Sequence, residues 1–228
     1  MYVSAIIVAG GGGTRFGGPV RKQFLELGGK PVIERTIERF QRCGVINEVI
    51  LVLPAEDMEQ ARGHYRSFDK IARIAAGGRT RQESVYNGLL AANPAADVVM
   101  AHDAVRPFVS AAVIERAAAC AFESGACAAG VPVKDTIKIC DENAVVTATP
   151  ARGALWAAQT PQAFRREVLL NAFRQAEKTG SVYPDDAALA ESAGARVRMI
   201  MGGYDNIKIT TPEDMYLAEI ILKRGAIR

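Results

Sequence analysis

With 228 residues, the chain has the length of one large α/β domain or two small ones, and its 49% hydrophobic content excludes a disordered chain. Its 28 basic and 25 acidic residues leave a net charge of +3, too slight an excess to argue for a nucleic-acid partner, so any functional positive charge must be local. Four cysteines (Cys43, Cys120, Cys127, Cys140) without a C-x-x-C pair, and two histidines, His64 and His102, exclude the usual zinc patterns and read as free thiols in a reducing cytosol.

The first apolar run, 4–9, is rich in β-branched residues and ends in glycines, which predicts a buried parallel strand. It is too short for a signal peptide or a membrane span, so the expectation is no membrane partner and a cytoplasmic chain, or one of the plastid stroma if a transit peptide has been removed. Val32, Ile33, Ile37 and Phe40 recur at helical spacing over 31–43, and Gly44 stops the pattern. A second buried strand spans 48–53 and is closed by Pro54. A polar helix follows over about 55–67, then a short strand over 71–75 that runs into Gly77-Gly78. Helix 82–92 puts Val85, Leu89 and Leu90 on one face, strand 97–102 follows, and Ser110 caps a helix through Glu123 with Gly125 after its end.

Residues 126–164 break this rhythm. The run 131–139 alternates like a strand, 141–143 is a turn, and 144–149 returns as a strand, which predicts a hairpin arm inserted at about 131–156. Helices over 166–178 and 185–193, a strand over 196–201 and a final helix over 212–223 complete the chain. The alternation predicts an α/β fold: one domain over 1–228, a mostly parallel twisted sheet with helices on both faces. Ligands of such sheets bind beyond the strands' carboxyl ends, so Gly10–Gly13, Gly77–Gly78, Asp103–Arg106 and Gly202–Lys208 are expected to converge.

The loop Ala9-Gly-Gly-Gly-Gly-Thr-Arg-Phe-Gly17 lets the backbone approach a phosphate and presents successive N–H groups as an anion nest. It matches neither the dinucleotide pattern G-x-G-x-x-G nor the Walker pattern, because Gly17 is followed by Gly18 rather than Lys-Ser/Thr. It does carry Arg15 and, seven residues later, Lys22, and two cations beside a nest suit a triphosphate. A surface turn with two solvated basic residues is the plainer alternative. His102 beside Asp103 reads as an imidazole that supports its loop rather than as half of a catalytic pair. Trp156 reads as packing rather than base stacking.

The loop followed by Lys22-Gln-Phe-Leu25 and Gly29-Lys-Pro31 resembles the N-terminal signature of nucleotidyltransferases. Gly77-Gly78-x-x-Arg81-x-x-Ser84-Val85-x-Asn87-Gly88, His102-Asp-Ala-Val-Arg-Pro107, Asp135-Thr136, Thr160-Pro-Gln162 and Asp205-Asn-Ile-Lys-Ile-Thr210 narrow the resemblance. From residue 4 to about 222 the chain is similar to the 2-C-methyl-D-erythritol 4-phosphate cytidylyltransferase family of the non-mevalonate isoprenoid pathway, with its Rossmann-like nucleotidyltransferase fold. The resemblance implies that Ala9, Gly10, Gly11, Gly12 and Gly13 hold the triphosphate and part of the nucleoside of CTP, that Gly78 and Ser84 frame the cytosine, that Arg81 belongs to the CTP site as a phosphate ligand (a solvated helix start is the plainer alternative), and that Asp103 and Ala104 lie near the ribose and the second substrate. It implies that Arg15 and Lys22 stabilise the transition state. Thr136, Arg152 and Lys208 then bind and orient the acceptor phosphate, which Arg106 also serves, and Asp205 is a further substrate-binding residue, with Thr136 and Arg152 supplied by the arm of a partner in a homodimer. Mg²⁺ is the implied cofactor; Asp103 and Asp205 are candidate ligands beside the alternative of a metal held by phosphates and water.

One stretch departs from the family pattern. Where the family commonly has Thr-Asp-Asp/Glu-Ala-Ser, this chain has Pro184-Asp185-Asp186-Ala187-Ala188. The alternative acceptor is ribitol 5-phosphate or another polyol phosphate.

Overall fold

The computed structural model describes residues 1–10 and 21–226. In chain order the elements are β1 (Val3–Val8), β2 (Glu26–Leu27), β3 (Lys30–Pro31), α1 (Val32–Arg42), β4 (Glu48–Leu53), α2 (Met58–His64), β5 (Ile71–Ala76), α3 (Arg81–Ala91), β6 (Val98–Asp103), α4 (Ala111–Ser124), β7 (Ala126–Pro132), β8 (Ile139–Cys140), β9 (Val146–Ala148), β10 (Trp156–Arg165), α5 (Arg166–Thr179), α6 (Asp186–Ser192), β11 (Arg198–Met201) and α7 (Pro212–Ala226). Seven strands form one sheet in the order β11-β7-β10-β6-β1-β4-β5. β5, β4, β1 and β6 are mutually parallel, as are β7 and β11, and β10 runs antiparallel to both of its neighbours. The expected α/β architecture with a mostly parallel sheet is therefore what the chain adopts.

Strand periodicity divides the core. Along the first strand, Val3, Ala5, Ile7 and Ala9 pack on the face covered by α1 and α4, where Ile33, Ile37, Phe40, Val113 and Ile114 are buried. Ile6 points to the opposite face, beneath Val85 and Leu89 of α3 and Leu169 and Phe173 of α5. The residue period of two makes one strand serve both layers. A smaller cluster of Leu27, Val32, Val105, Phe108, Ile209 and Ala218 seats α7 beside the sheet. Helix ends follow local chemistry. Ser110 accepts from the Val113 N–H at the start of α4, and Gly125, with φ of 91°, ends it.

Three expectations are corrected. The strand predicted over 131–139 is instead the end of β7: the paired strand begins at Ala126 and stops at Pro132, and alternation beyond it reflects an exposed excursion. β10 was not anticipated. It carries Pro161, and a proline argues against a central strand because it cannot donate to the ladder. Here the pairing with β7 shifts register between Ala158 and Gln162, so Pro161 sits where the ladder is interrupted. The helix predicted over about 55–67 is shorter, with α2 flanked by 3-10 turns at Ala55–Asp57 and Tyr65–Ser67.

The hairpin arm is present. Residues 134–149 are all exposed, β8 pairs antiparallel with β9, and Asp141 closes the turn by accepting from the N–H groups of Asn143 and Val145 at 3.0 and 2.9 Å. Ile139, Val145 and Val146 lie bare on it.

Candidate active site

The carboxyl ends of β1, β4, β5 and β6 bring the described residues of the predicted segments together; Gly11–Gly13 lie outside the described residues. Ala9 continues β1 by donating to the Val52 carbonyl at 2.8 Å, and the Ala104 N–H reaches the Val8 carbonyl at 3.0 Å. The buried Gln23 amide donates to the Ala9 carbonyl at 2.9 Å, which ties the 3-10 turn Lys22–Phe24 to the end of β1. Gly10 meets the Gly77–Gly78 turn so closely that a Cβ on Gly77 would stand 3.1 Å from the Gly10 Cα, and one on Gly10 would stand 2.9 Å from Ser84 Oγ. Only backbone without side chains permits that approach. A cleft of about 380 Å³ opens here, lined by Gly10, Arg21, Glu56, Gly77, Gly78 and Glu83. Arg21 closes one wall through Glu56 and Asp57.

Beside this cleft sits a buried charge cluster. The Asp103 carboxylate accepts from Arg81 Nε at 3.1 Å, from Arg106 Nε at 3.4 Å and from Lys208 Nζ at 2.9 Å. Arg81 also donates through Nη1 to Asp186 at 2.9 Å. Burial works to raise the Asp103 carboxyl, but Arg81, Lys208 and Arg106 outweigh it and hold the group well below the usual carboxylate range. At Asp186 the balance reverses: burial, aided by Asp103, raises it despite Arg81. Three cations around two carboxylates leave one positive charge, and Lys208, the most exposed of the three cations, presents it to solvent.

His102 stands under the same loop. It is fully buried against Phe40, with ring centroids 4.8 Å apart. Thr160 Oγ1 accepts from the Asp103 N–H at 3.1 Å and lies 3.1 Å from His102 Nδ1, while Nε2 lies 3.1 Å from the Arg106 carbonyl. That set assigns Nε2 as the donor and Nδ1 as the acceptor of the Thr160 hydroxyl, a neutral imidazole. Burial lowers its pKa to about 4, against the contrary pull of the Arg106 carbonyl. The imidazole braces the loop, as the sequence suggested.

Of the sequence-selected residues, Ala9, Gly10, Gly78, Ser84, Arg81, Asp103, Ala104, Arg106 and Lys208 are brought to this one end of the sheet. Lys22 occupies the 3-10 turn Lys22–Phe24 next to it. Gly11, Gly12, Gly13 and Arg15 lie outside the described residues. Asp205 is exposed in the turn before Lys208. Thr136 and Arg152 are placed on the arm, both exposed. Arg81 and Arg106 have their guanidinium groups committed to internal acceptors, Arg106 also through Nη1 to the Asn206 carbonyl at 2.8 Å; they shape the site by holding Asp103.

A family model described as 2-C-methyl-D-erythritol 4-phosphate cytidylyltransferase matches residues 3–224. The chain belongs to that cytidylyltransferase family. Curated relatives of the same name include those of Geobacter metallireducens, 44% identical over 98% of each chain, and Alkaliphilus oremlandii, 44% identical over 96% of this chain and 94% of that one. Among solved structures, 4-diphosphocytidyl-2C-methyl-D-erythritol synthase from Anaerococcus prevotii superposes with a TM-score of 0.88 at 32% identity, covering 98% of this chain and 96% of that one. The 2-C-methyl-D-erythritol 4-phosphate cytidylyltransferase of Thermus thermophilus gives 0.79 at 32%, over 98% and 100%.

Within this cytidylyltransferase frame, Asp186 is the residue that the sequence reading passed over. It lay inside the quoted run 184–188, but its partner Arg81 is 105 positions away, and the neighbouring Asp185 has the unrelated task of capping α6. Among the described residues no group of three metal-ligating side chains occurs, and both Asp103 oxygens already accept from cations.

Proposed function

We propose that this protein transfers the cytidylyl group of CTP to 2-C-methyl-D-erythritol 4-phosphate, giving 4-diphosphocytidyl-2-C-methyl-D-erythritol and pyrophosphate. What supports this most is the meeting of the Gly10/Gly77–Gly78 cleft with the Asp103-braced Lys208 at one end of the sheet, in a chain that matches the family over nearly its whole length. The cleft takes the nucleotide, and Lys208 faces the acceptor phosphate.

A phosphomonoester has a second pKa of about 6 and is largely dianionic at neutral pH. Its oxygen attacks the α-phosphorus of CTP without a general base, and the α–β oxygen leaves with pyrophosphate. The work left to the protein is positioning and charge neutralisation. Arg15 and Lys22 supply charge at the α-phosphate. A divalent cation such as Mg²⁺, bound with the triphosphate of CTP, would supply charge neutralisation for the pyrophosphate leaving group. Lys208, with Thr136 and Arg152 of a second copy, orients the acceptor phosphate, so the working unit is a homodimer whose arms complete each other's sites. The bare Ile139, Val145 and Val146 of the arm fit burial against that copy. No helix among the described residues is long and apolar enough to cross a membrane, which suits an enzyme of the cytoplasm acting on soluble phosphates.

Pyrophosphate release is the test. CTP, UTP, ATP and GTP are each offered with 2-C-methyl-D-erythritol 4-phosphate and with ribitol 5-phosphate, in the presence of Mg²⁺. The expected result is turnover with CTP and methylerythritol phosphate at least tenfold above any other pair. Preference for ribitol phosphate would mean that Pro184 and Ala188, which lack the family's hydroxyls, have redirected acceptor choice, and would overturn the reading.

A further inference from the structure

Beyond the residues that meet substrate, one side chain joins the arm to the body of the molecule. Tyr204 lies in the turn after β11, half-exposed at 50%. Its hydroxyl donates to the Pro132 carbonyl at 2.9 Å, and the Lys134 ammonium stands 3.6 Å from its ring centroid. Pro132 is the last residue of β7. Past it, among the described residues, two bonds tie the arm's root: Val133 N–H to the Leu155 carbonyl at 3.0 Å, and Arg152 Nη1 to the Lys134 carbonyl at 2.8 Å. Lys134 is thus gripped by Arg152 at its carbonyl and by Tyr204 at its ammonium, two residues before Thr136.

The loop that carries Tyr204 does not need this contact. Gly202 N–H reaches the Gly130 carbonyl at 2.7 Å, Gln159 Nε2 the Gly203 carbonyl at 2.8 Å and Asn206 Nδ2 the Thr160 carbonyl at 2.9 Å. Ile209 N–H bonds the Val105 carbonyl at 2.9 Å, and Lys208 is fixed on Asp103. One end of the clasp is over-determined and the other rests on those two bonds, so its effect falls on the arm.

We infer that Tyr204 is a positioning residue for the arm: it fastens the arm's root to the rigid Lys208 loop and so aims Thr136 and Arg152 at the site that they serve in the second copy. The cation–π contact and the hydroxyl bond act together, the first on Lys134 and the second on Pro132. This inference rests on the composite-dimer reading proposed above.

Subunit mixing separates an effect on the arm from an effect on the fold. Subunits carrying Lys22→Ala retain a working arm, and those carrying Arg152→Ala retain a working Lys22 and Lys208 loop. Each is expected to be inactive alone. With exchange confirmed by two affinity tags, the mixture is expected to regain about a quarter of wild-type activity, since half of the dimers are mixed and each has one intact site of two. Tyr204→Leu is then added to one subunit or the other. In the Lys22→Ala subunit, which lends the working arm, it is expected to cut the regained activity about tenfold, because misplacing a substrate-orienting group is costly; in the Arg152→Ala subunit it should change it by less than about twofold. Tyr204→Phe, which keeps the ring and loses the hydroxyl, should give a smaller loss with the same asymmetry. If Tyr204→Leu does not fold, Lys134→Met removes the other half of the clasp and is placed in the same two subunits. Equal losses from either subunit, a loss confined to the Arg152→Ala subunit, or no loss at all would overturn the inference while leaving the composite dimer standing. Failure of the parent pair to regain activity would overturn both.

Discussion

Ser84 shows how much a single hydroxyl decides. Its only hydrogen is donated to the Thr80 carbonyl at 2.8 Å, and it accepts from the Gly78 N–H at 3.0 Å. One acceptor lone pair remains. We propose that this lone pair, on a side chain otherwise buried between Gly10 and the Gly77–Gly78 turn, accepts from the N4 amino group of cytosine; O4 of uracil, itself an acceptor, would be repelled there. Ser84→Ala is therefore expected to shrink the kcat/KM ratio of CTP over UTP by about tenfold, the size of one hydrogen bond. Both nucleotides should also weaken, since the Gly78 N–H loses its partner, so the ratio is the quantity to measure; an unchanged ratio removes Ser84 from base selection. The sequence placed Ser84 in the site by motif. It did not reveal that the donor was already spent, because that depends on the geometry of the turn into α3. The same limit hid Asp186, one of two adjacent aspartates with opposite tasks.

At the scale of elements, α3 lies unusually near the sheet. A Cβ on Gly88 would stand 2.4 Å from Ile6 Cγ2 and 2.9 Å from Val52 Cγ2, both fully buried side chains of the sheet. Gly63 in α2 has nothing within 4 Å of the same position. The same substitution should therefore act with opposite sign. Gly63→Ala is expected to stabilise by up to about 1 kcal/mol through helix propensity, and Gly88→Ala to destabilise by about 1–2 kcal/mol as overpacking exceeds that gain. Urea midpoints of the two variants decide this, and a stabilised Gly88→Ala protein would contradict the close approach. Elements with strong local signals were legible: β1, β4 and β6 as apolar runs, α4 from Ser110 and Gly125. β7 and β10 were not. β7 is Ala-Cys-Ala-Ala-Gly-Val-Pro, too small-chained to announce a strand, and β10 buries Gln159, Thr160 and Gln162, polar residues whose partners lie in other segments. The arm's alternation, 131–139, drew the strand assignment away from both.

Across the whole molecule, what was legible was the sum of many repeats of one rule: strands followed by helices, with loops gathered at one end. The antiparallel β10, which places Thr160 beneath Asp103, escaped that rule, and with it the reason why His102 is buried. That burial has a consequence for acid stability. Folded His102 is held neutral, its pKa lowered by burial from 6.5 to about 4. The unfolded chain takes up the proton near 6.5, the folded one only near 4. The contribution is thus present in full above about pH 6.5 and is lost as pH falls toward 4, amounting to on the order of 3 kcal/mol. Asp103, held low by its three cations, adds a loss below the ordinary carboxylate range. Asp186, raised by burial, has the opposite sign: its folded form binds the proton above the ordinary carboxylate value, so it offsets part of the His102 loss at the acid end of that range. Between pH 6.5 and 4 the net slope is therefore the His102 loss less the Asp186 gain. Urea unfolding across that range should show a decline of that order, a large share of the 5–15 kcal/mol typical of a folded domain. His102→Gln should be less stable at pH 7, since Gln cannot reproduce both ring contacts, and should unfold along a visibly flatter profile. A His102→Gln profile as steep as the wild type's would assign the acid sensitivity to other groups and remove His102 as its source.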